Sequence, residues 1–156
     1  MNDNEIRIAD YKPEYKPRYI AINEAWIKKD YVMEALDVEE LHNPENFILK
    51  GGGAIIVALL GEQVVGTCAL VNNGEGVYEM VKMGVDEKYR GYGIGRRLCT
   101  GIIEKARALG AVKIVLYSNT VYSGNAVALY RKFGFHEVPL GKTDWARADI
   151  KMEKAL

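Results

Sequence analysis

The chain predicts a single α/β domain spanning residues 1–156, built on one mixed sheet with helices packed on its faces. Three observations predict it. The 156 residues, 49% of them hydrophobic, suit one globular core. Runs of β-branched residues alternate with segments of helical period. The resulting order of elements, β, α, α, β, β, β, α, β, α, β, β, contains no internal repeat and no linker.

Each element has its own signal. Glu5 to Tyr11 (EIRIADY) alternates polar and apolar positions, as a strand with one exposed face does. Glu14 to Trp26 places Tyr15, Tyr19, Ile22 and Trp26 at helical spacing, and the acid-rich Met33 to Leu41 predicts a second short helix before Pro44 interrupts ahead of Phe47. Beyond the loop Lys50 to Gly53, the β-branched runs Ala54 to Leu60 and Val64 to Val71 flank Gly61, Glu62 and Gln63 and predict a hairpin. Val77 to Val85 is a third long strand, followed by a turn at Asp86 to Tyr89. Leu98, Ile102, Ile103, Ala106 and Leu109 line one side of a helix that Gly110 terminates. Val112 to Tyr117 is nearly continuous apolar β-former, the pattern of a central strand covered on both faces. Ala126, Leu129, Tyr130 and Phe133 mark a shorter helix stopped by Gly134, and Phe135 to Val138 and Ala148 to Lys154 complete the set as strands.

Lys+Arg and Asp+Glu both number 21, so no global field draws the chain toward nucleic acid or an anionic membrane. The start, MNDNEIRIADYK, carries acids and no apolar run, against a signal peptide, and no segment approaches the ~18 apolar residues of a membrane span. The expectation is a soluble, cytoplasmic protein with neither a nucleic-acid nor a membrane partner. Cys68 and Cys99 lack CxxC spacing and a cluster of histidines, so they read as reduced core thiols and no metal is expected. His42 and His136 read as surface residues.

The stretch Tyr89 to Arg97, YRGYGIGRR, sits between a strand and a strong helix. A helix N-terminus offers unpaired N–H groups and roughly half a positive charge, which favours a bound anion. Glycines let a ligand approach those amides, and a nearby arginine adds a charge-assisted contact to phosphate. A strand-to-helix turn also uses glycine for geometry alone, so the stretch by itself leaves both readings open. No GK[ST] follows, which excludes a P-loop, and Leu98 stands where a dinucleotide fingerprint needs its third glycine.

What remains is Arg-x-x-Gly-x-Gly, filled by Arg90, Gly93 and Gly95, after a strand containing Met83-x-Val85. This resembles the acyl-CoA-binding segment of the GNAT superfamily of N-acetyltransferases. VLYSN, ending in Asn119, and NAVALYRKFGFHEV, from Asn125 to Val138, resemble the next strand and helix of that family, and the order of elements fits over essentially the whole chain. The resemblance implies a central mixed, mostly antiparallel sheet of about six to seven strands with a splayed pair, flanked by about four helices. It implies that acetyl-CoA (coenzyme A) is the co-substrate. Its pantetheine arm would lie between the strands, bonded to the backbone of Met83, Gly84 and Val85. Its pyrophosphate would rest on the N–H groups of Arg90, Gly91, Tyr92, Gly93, Ile94, Gly95 and Arg96. Asn119 and Asn125 match positions whose side chains meet the cofactor, although Asn119 can also simply close a strand and Asn125 cap a helix.

Within LYRKFGF, Tyr130 resembles the residue that protonates the departing thiolate, a general-acid role; as an isolated residue it would read as packing. A base must deprotonate the amine, whose pKa is near ~10. Glu79 is the candidate, because simple alternation places it on one face with Val81, Met83 and Val85, an unusual setting for a carboxylate. It also reads as an ion-pair partner of Lys82, and a bulge would change its face. A backbone N–H near Val81 to Met83 would polarise the thioester carbonyl.

The implied activity is transfer of an acetyl group to a primary amine of a small molecule, amino acid or peptide by direct attack in a ternary complex. The alternatives are a non-catalytic acyl-CoA-binding or sensing module and a nucleotide-binding protein that shares only the turn. Ala21 to Lys50 holds seven acids against three lysines, and Asp86 to Lys113 holds seven bases against three acids. The basic half suits a CoA nucleotide; the acidic half suits a cationic amine or is a solvated helix face. Trp26, Tyr31 and Trp145 are candidates for an acceptor pocket or for packing. The alternating final strand, ADIKMEK, has an edge that can pair with a second subunit as a homodimer.

Overall fold

The computed structural model describes residues 5–156; Met1 to Asn4, which open the acid-bearing start, lie outside the described residues. The strands are β1 (Ile6–Asp10), β2 (Ala54–Leu60), β3 (Gln63–Asn72), β4 (Val77–Val85), β5 (Lys113–Ser118), β6 (His136–Val138) and β7 (Ile150–Ala155). The α-helices are α1 (Lys16–Asp30), α2 (Ala35–His42), α3 (Ile94–Ala108) and α4 (Gly124–Lys132). The seven strands form one sheet in the order β1-β2-β3-β4-β5-β7-β6. Only β4 and β5 run parallel, because α3 carries the chain from one to the other; every other pair is antiparallel.

Both faces of the sheet are covered, which is why β2, β3 and β5 read as nearly unbroken apolar runs. On one face α3 and α4 bury Leu98, Ile102, Ala106 and Val127 against Ile56, Cys68, Met80 and Ile114. On the other, α1 and α2 bury Tyr19, Ile27 and Leu41 against Ile55, Ala69 and Val81. Cys68 and Cys99 are both buried, and burial pushes their thiols up, Cys99 to about 12, in keeping with inert core cysteines. No described helix is long and apolar enough to cross a membrane.

Several boundaries move. The first helix continues four residues past Trp26 and is preceded by a 3-10 turn, Pro13–Tyr15. Pro44 opens a π-helical turn, Glu45–Leu49, rather than a plain interruption. Leu109 is the C-cap of α3 and is exposed, so it does not join Leu98, Ile102, Ile103 and Ala106 on the buried side. The last strand lies between β5 and β6, and β6 pairs with Lys151, Met152 and Glu153, so β7 is not the free sheet edge expected to dock a second subunit.

The feature that matters most for function is a bulge in β4. Thr67 faces Gly84 and Ala69 faces Val81, so Cys68 alone opposes both Lys82 and Met83. Lys82 adopts φ 56, a left-handed conformation that a lysine takes only when its surroundings impose it. The bulge reverses the alternation. Glu79 and Val81 face α1 and α2, whereas Met83 and Val85 pack toward α3, so the four do not share one face as simple alternation expects. On the other side, β4 pairs with β5 only from Val77 to Glu79 and then separates from it.

Candidate active site

The separation of β4 from β5 opens a cleft of about 620 Å³ that runs from the α3 N-terminus, past the bulge, to the α1–α2 connection. Beyond Glu79 the β5-facing edge of β4 has no strand partner, which leaves its backbone groups available to a ligand. Of the residues expected at the site, Glu79, Met83, Gly84, Val85, Arg90, Gly91, Gly93, Ile94, Gly95, Arg96, Asn119, Asn125 and Tyr130 all line this cleft. Tyr92 contributes no surface to it.

At one end lies the glycine loop. Gly93 is the N-cap of α3 with φ 77, and Gly91 has φ 87. The first intrahelical bond of α3 is donated by the Arg97 N–H to the Gly93 carbonyl at 3.2 Å, so the N–H groups of Ile94, Gly95 and Arg96 precede it without a helical partner. These amides, the helix dipole and the exposed Arg90 and Arg96, all at this end of the cleft, are the chemical features that suit an anion. Gly84 has a different reason to be glycine: an added Cβ would stand 2.9 Å from the Trp26 ring and 3.1 Å from Asn23 Oδ1. Its missing side chain lets α1 lie against β4.

In the middle of the cleft are the two candidate catalytic groups. Tyr130 packs edge-on against Phe135, ring centroids 6.0 Å apart, and its hydroxyl has no hydrogen-bond partner among the described residues. Burial raises its pKa well above that of an ordinary phenol, so it stays protonated at neutral pH. Glu79 accepts a hydrogen bond from Trp145 Nε1 at 2.9 Å. Burial raises its pKa, against the opposing effects of Trp145, Asn73 and the Lys82 charge. Lys82 is not its ion-pair partner.

The two asparagines differ. Asn119 Nδ2 donates to the Arg147 carbonyl at 2.9 Å, and its Oδ1 accepts from the N–H groups of Val121 and Tyr122, so its amide organises the β5–α4 loop. Asn125 lies inside the first turn of α4, which Ser123 caps, and is exposed to the cleft.

Beneath the bulge lies a cluster that the sequence did not announce. Lys82, with 1% of its side chain exposed, donates to Asp37 Oδ1 and Glu40 Oε1, each at 2.8 Å. Its own carbonyl accepts from Thr67 Oγ1 at 2.8 Å, and Thr67 accepts from Asn23. Asp37 also accepts two bonds from Arg147, at 2.7 and 2.8 Å, and one from the Glu34 N–H. The acids of α2 are thus partly a buried counter-charge rather than a solvated face. A visible signal for Lys82 existed, a lone cation inside the apolar run VYEMVKMGV; nothing in the sequence singled out Arg147. The aromatics Trp26, Tyr31 and Trp145 do line the cleft, with the Arg147 guanidinium 5.6, 5.6 and 4.7 Å from their ring centroids.

Comparison with known proteins meets this geometry. The model of the Acetyltransferase (GNAT) family matches residues 10–135. An IAA acetyltransferase from Azospirillum brasilense is 37% identical over 123 residues, 78% of this chain and 75% of that protein. N-acetyltransferase 8B of Rattus norvegicus is 30% identical over 114 residues, 70% of this chain; the chain spans about half, 51%, of that relative's length. Among solved structures, a GNAT-family acetyltransferase from Staphylococcus aureus shares the fold with TM-score 0.85 at 23% identity, over 96% of this chain and 98% of that one. The protein yncA from Salmonella typhimurium, solved with its cofactor acetyl-CoA, shares it with TM-score 0.75 at 18% identity, over 96% and 93%. With its parallel pair splayed over a glycine-rich helix start and the family match running from β1 to Phe135, the chain belongs to the acetyltransferase (GNAT) family.

Proposed function

We propose that this chain is an acetyl-CoA-dependent N-acetyltransferase that acetylates a primary amine of a small molecule, amino acid or peptide by direct attack in a ternary complex. The observation that carries the reading is the Tyr130 hydroxyl, protonated, unbonded among the described residues and lining the cleft where β4 and β5 part. The residues present suit acetyl-CoA: an amide cradle with Arg90 and Arg96 for a pyrophosphate, and an unpaired strand edge from Val81 to Val85 for an amide-bearing arm. Bound there, it supplies an activated acyl group. Asn125 lines the same cleft and is assigned to contact with the cofactor; Asn119 shapes the wall beside it.

Glu79 removes the proton from the acceptor ammonium, directly or through water, and its raised pKa brings its basicity closer to neutral pH. The residues of the bulge, Val81 to Met83, line the cleft, where a backbone N–H would meet the charge that develops on the thioester oxygen. As the new C–N bond forms and the C–S bond breaks, Tyr130 gives its proton to the departing sulfur. Neither cysteine takes part, since both thiols are buried and held protonated.

Thiol release from acetyl-CoA across a panel of amines tests the reading. Turnover of at least one amine is the expected result; binding of acetyl-CoA with no turnover of any would instead favour a non-catalytic acyl-CoA-binding module. Two variants sharpen it. Glu79→Gln is expected to lower kcat by roughly 10²-fold and to remove the acid limb of the kcat/KM profile. In the wild type that limb is expected above the titration range of an ordinary carboxylate, because burial raises the folded pKa; a limb unchanged in the variant would exclude Glu79 as the base. Gly93→Ala places a side chain in a left-handed conformation that disfavours L-residues by roughly 1–2 kcal/mol; the free loop relieves that strain by leaving the cradle geometry, which acetyl-CoA must restore on binding, so its affinity measured by calorimetry should fall by up to about tenfold.

A further inference from the structure

The acceptor end of the cleft carries an arginine whose role the reaction does not assign. Arg147 lines the cleft with 16% of its side chain exposed. Its Nη1 donates to Asp37 Oδ2 at 2.7 Å and to Glu34 Oε2 at 3.3 Å, and its Nη2 donates to Asp37 Oδ1 at 2.8 Å. A guanidinium has five N–H donors in a fixed plane. Three are accounted for by these bonds; the Nε donor and the second Nη2 donor have no acceptor among the described residues. The plane cannot rotate to hide them, because Trp26, Tyr31 and Trp145 pack around it.

Charge decides what those donors suit. Two carboxylates already face Arg147, so a third, brought in by a ligand, would meet the repulsion of Asp37 and Glu34 with little net attraction left. A neutral carbonyl oxygen meets donors without that repulsion. Position decides how far the carbonyl lies from the reacting nitrogen. Trp145 touches both groups, its Nε1 on Glu79 and its ring under Arg147, so base and guanidinium stand one indole apart. The cleft wall beside them is largely aromatic: Trp26 and Tyr31 line it, and Tyr122, edge-on to Tyr31, is 60% exposed there, with Lys29 and Asp30 at its rim.

Resting on the N-acetyltransferase reading, we propose that Arg147 is a specificity-determining residue, and that its unpartnered donors select acceptors whose amine is adjacent to a neutral amide carbonyl, the α-amino amide unit, carrying an apolar side chain. That unit occurs in small amino-acid amides and at peptide N-termini. A kinetic series on the full chain at saturating acetyl-CoA separates the elements of the proposal: phenylalaninamide, a tetrapeptide beginning with phenylalanine, free phenylalanine, phenethylamine and spermidine. The amide or the tetrapeptide should exceed both free phenylalanine and phenethylamine in kcat/KM by roughly tenfold or more, the effect of one hydrogen bond to a charged donor. Preference between amide and tetrapeptide distinguishes a small-molecule from a peptide acceptor, and either supports the assignment. In Arg147→Met the ratio of amide to phenethylamine should collapse to about threefold or less. If that variant does not fold, as judged by loss of acetyl-CoA binding in calorimetry, the wild-type series alone decides. Phenethylamine or free phenylalanine equal to the amide, or an unchanged ratio in a folded Arg147→Met, overturns the role of Arg147. Turnover of spermidine alone does the same while leaving the N-acetyltransferase reading intact; acetyl-CoA binding with no turnover of any amine overturns both.

Discussion

Tyr130→Phe is expected to reduce kcat by roughly 10²-fold while leaving the KM for acetyl-CoA within about threefold, the loss typical of a removed general acid. The substitution is clean for structural reasons. The ring packs against Phe135 and is buried among Val127 and the α3 core, and phenylalanine keeps all of that. The hydroxyl makes no hydrogen bond among the described residues, so its removal strands no partner. A variant with normal melting and normal cofactor binding but lost turnover would support the general-acid role. Equal activity of Tyr130→Phe would sink that role and point to water as the proton donor to sulfur.

The second large effect is on stability. Asp37 is wholly buried and accepts from Lys82, from two nitrogens of Arg147 and from the Glu34 N–H. Asp37→Ala leaves the buried Lys82 and the half-buried Arg147 facing a gap and removes half of the capping box that starts α2. Breaking a buried ionic network from one side typically destabilises by ~3–5 kcal/mol, so the denaturant midpoint and Tm should drop sharply. The same site sets a pH dependence. Burial alone would raise the Asp37 pKa, but the bonds and charges of Arg147 and Lys82 outweigh it and bring it to about 2, against an ordinary 3.8. A pKa depressed by folding contributes stability that is complete above the unfolded value and is lost as the pH falls through the folded one. The contribution should therefore fade between about pH 4 and about pH 2, where the unfolded chain binds the proton first. Asp37→Asn should flatten that part of the acid-unfolding curve; a curve of unchanged slope there would mean that Asp37 is not the group responsible.

This network ties the bulge of β4 to the Arg147 end of the cleft. Lys82 holds the bulge by its side chain through α2 and by its carbonyl through Thr67 and α1. The bulge in turn lies where β4 has already parted from β5, and it sends Glu79 and Met83 to opposite faces. The acidic segment from Ala21 to Lys50 thereby has a structural role at Asp37 and Glu40 in addition to any attraction for an amine.

Much of the fold was legible from periodicity. The hairpin of β2 and β3, the long β4, the amphipathic α3 with its glycine stop and the two-face burial of β5 follow from patterns of two and 3.6 read within single segments. The glycine loop was equally legible, since its chemistry lies in nine consecutive residues whose amides gather at one helix start. Glu79 was found through a presumed shared face with Met83, yet the bulge at Lys82 breaks that alternation. A bulge inserts no characteristic residue, so strict alternation is the only expectation a strand sequence supports.

By itself the sequence determined the order of elements and the glycine loop at a helix start, because each depends on residues close along the chain, whereas Tyr130 and Glu79 became candidates through the family resemblance. Tertiary structure alone decided the parity of β4, the interior place of β7 and the pairing of Asp37 with residues 45 and 110 positions away. Those features arise when α1, α2 and the segment before β7 converge on one face of the sheet. A buried charge must then find its partner in space, and sequence separation places no limit on where that partner lies.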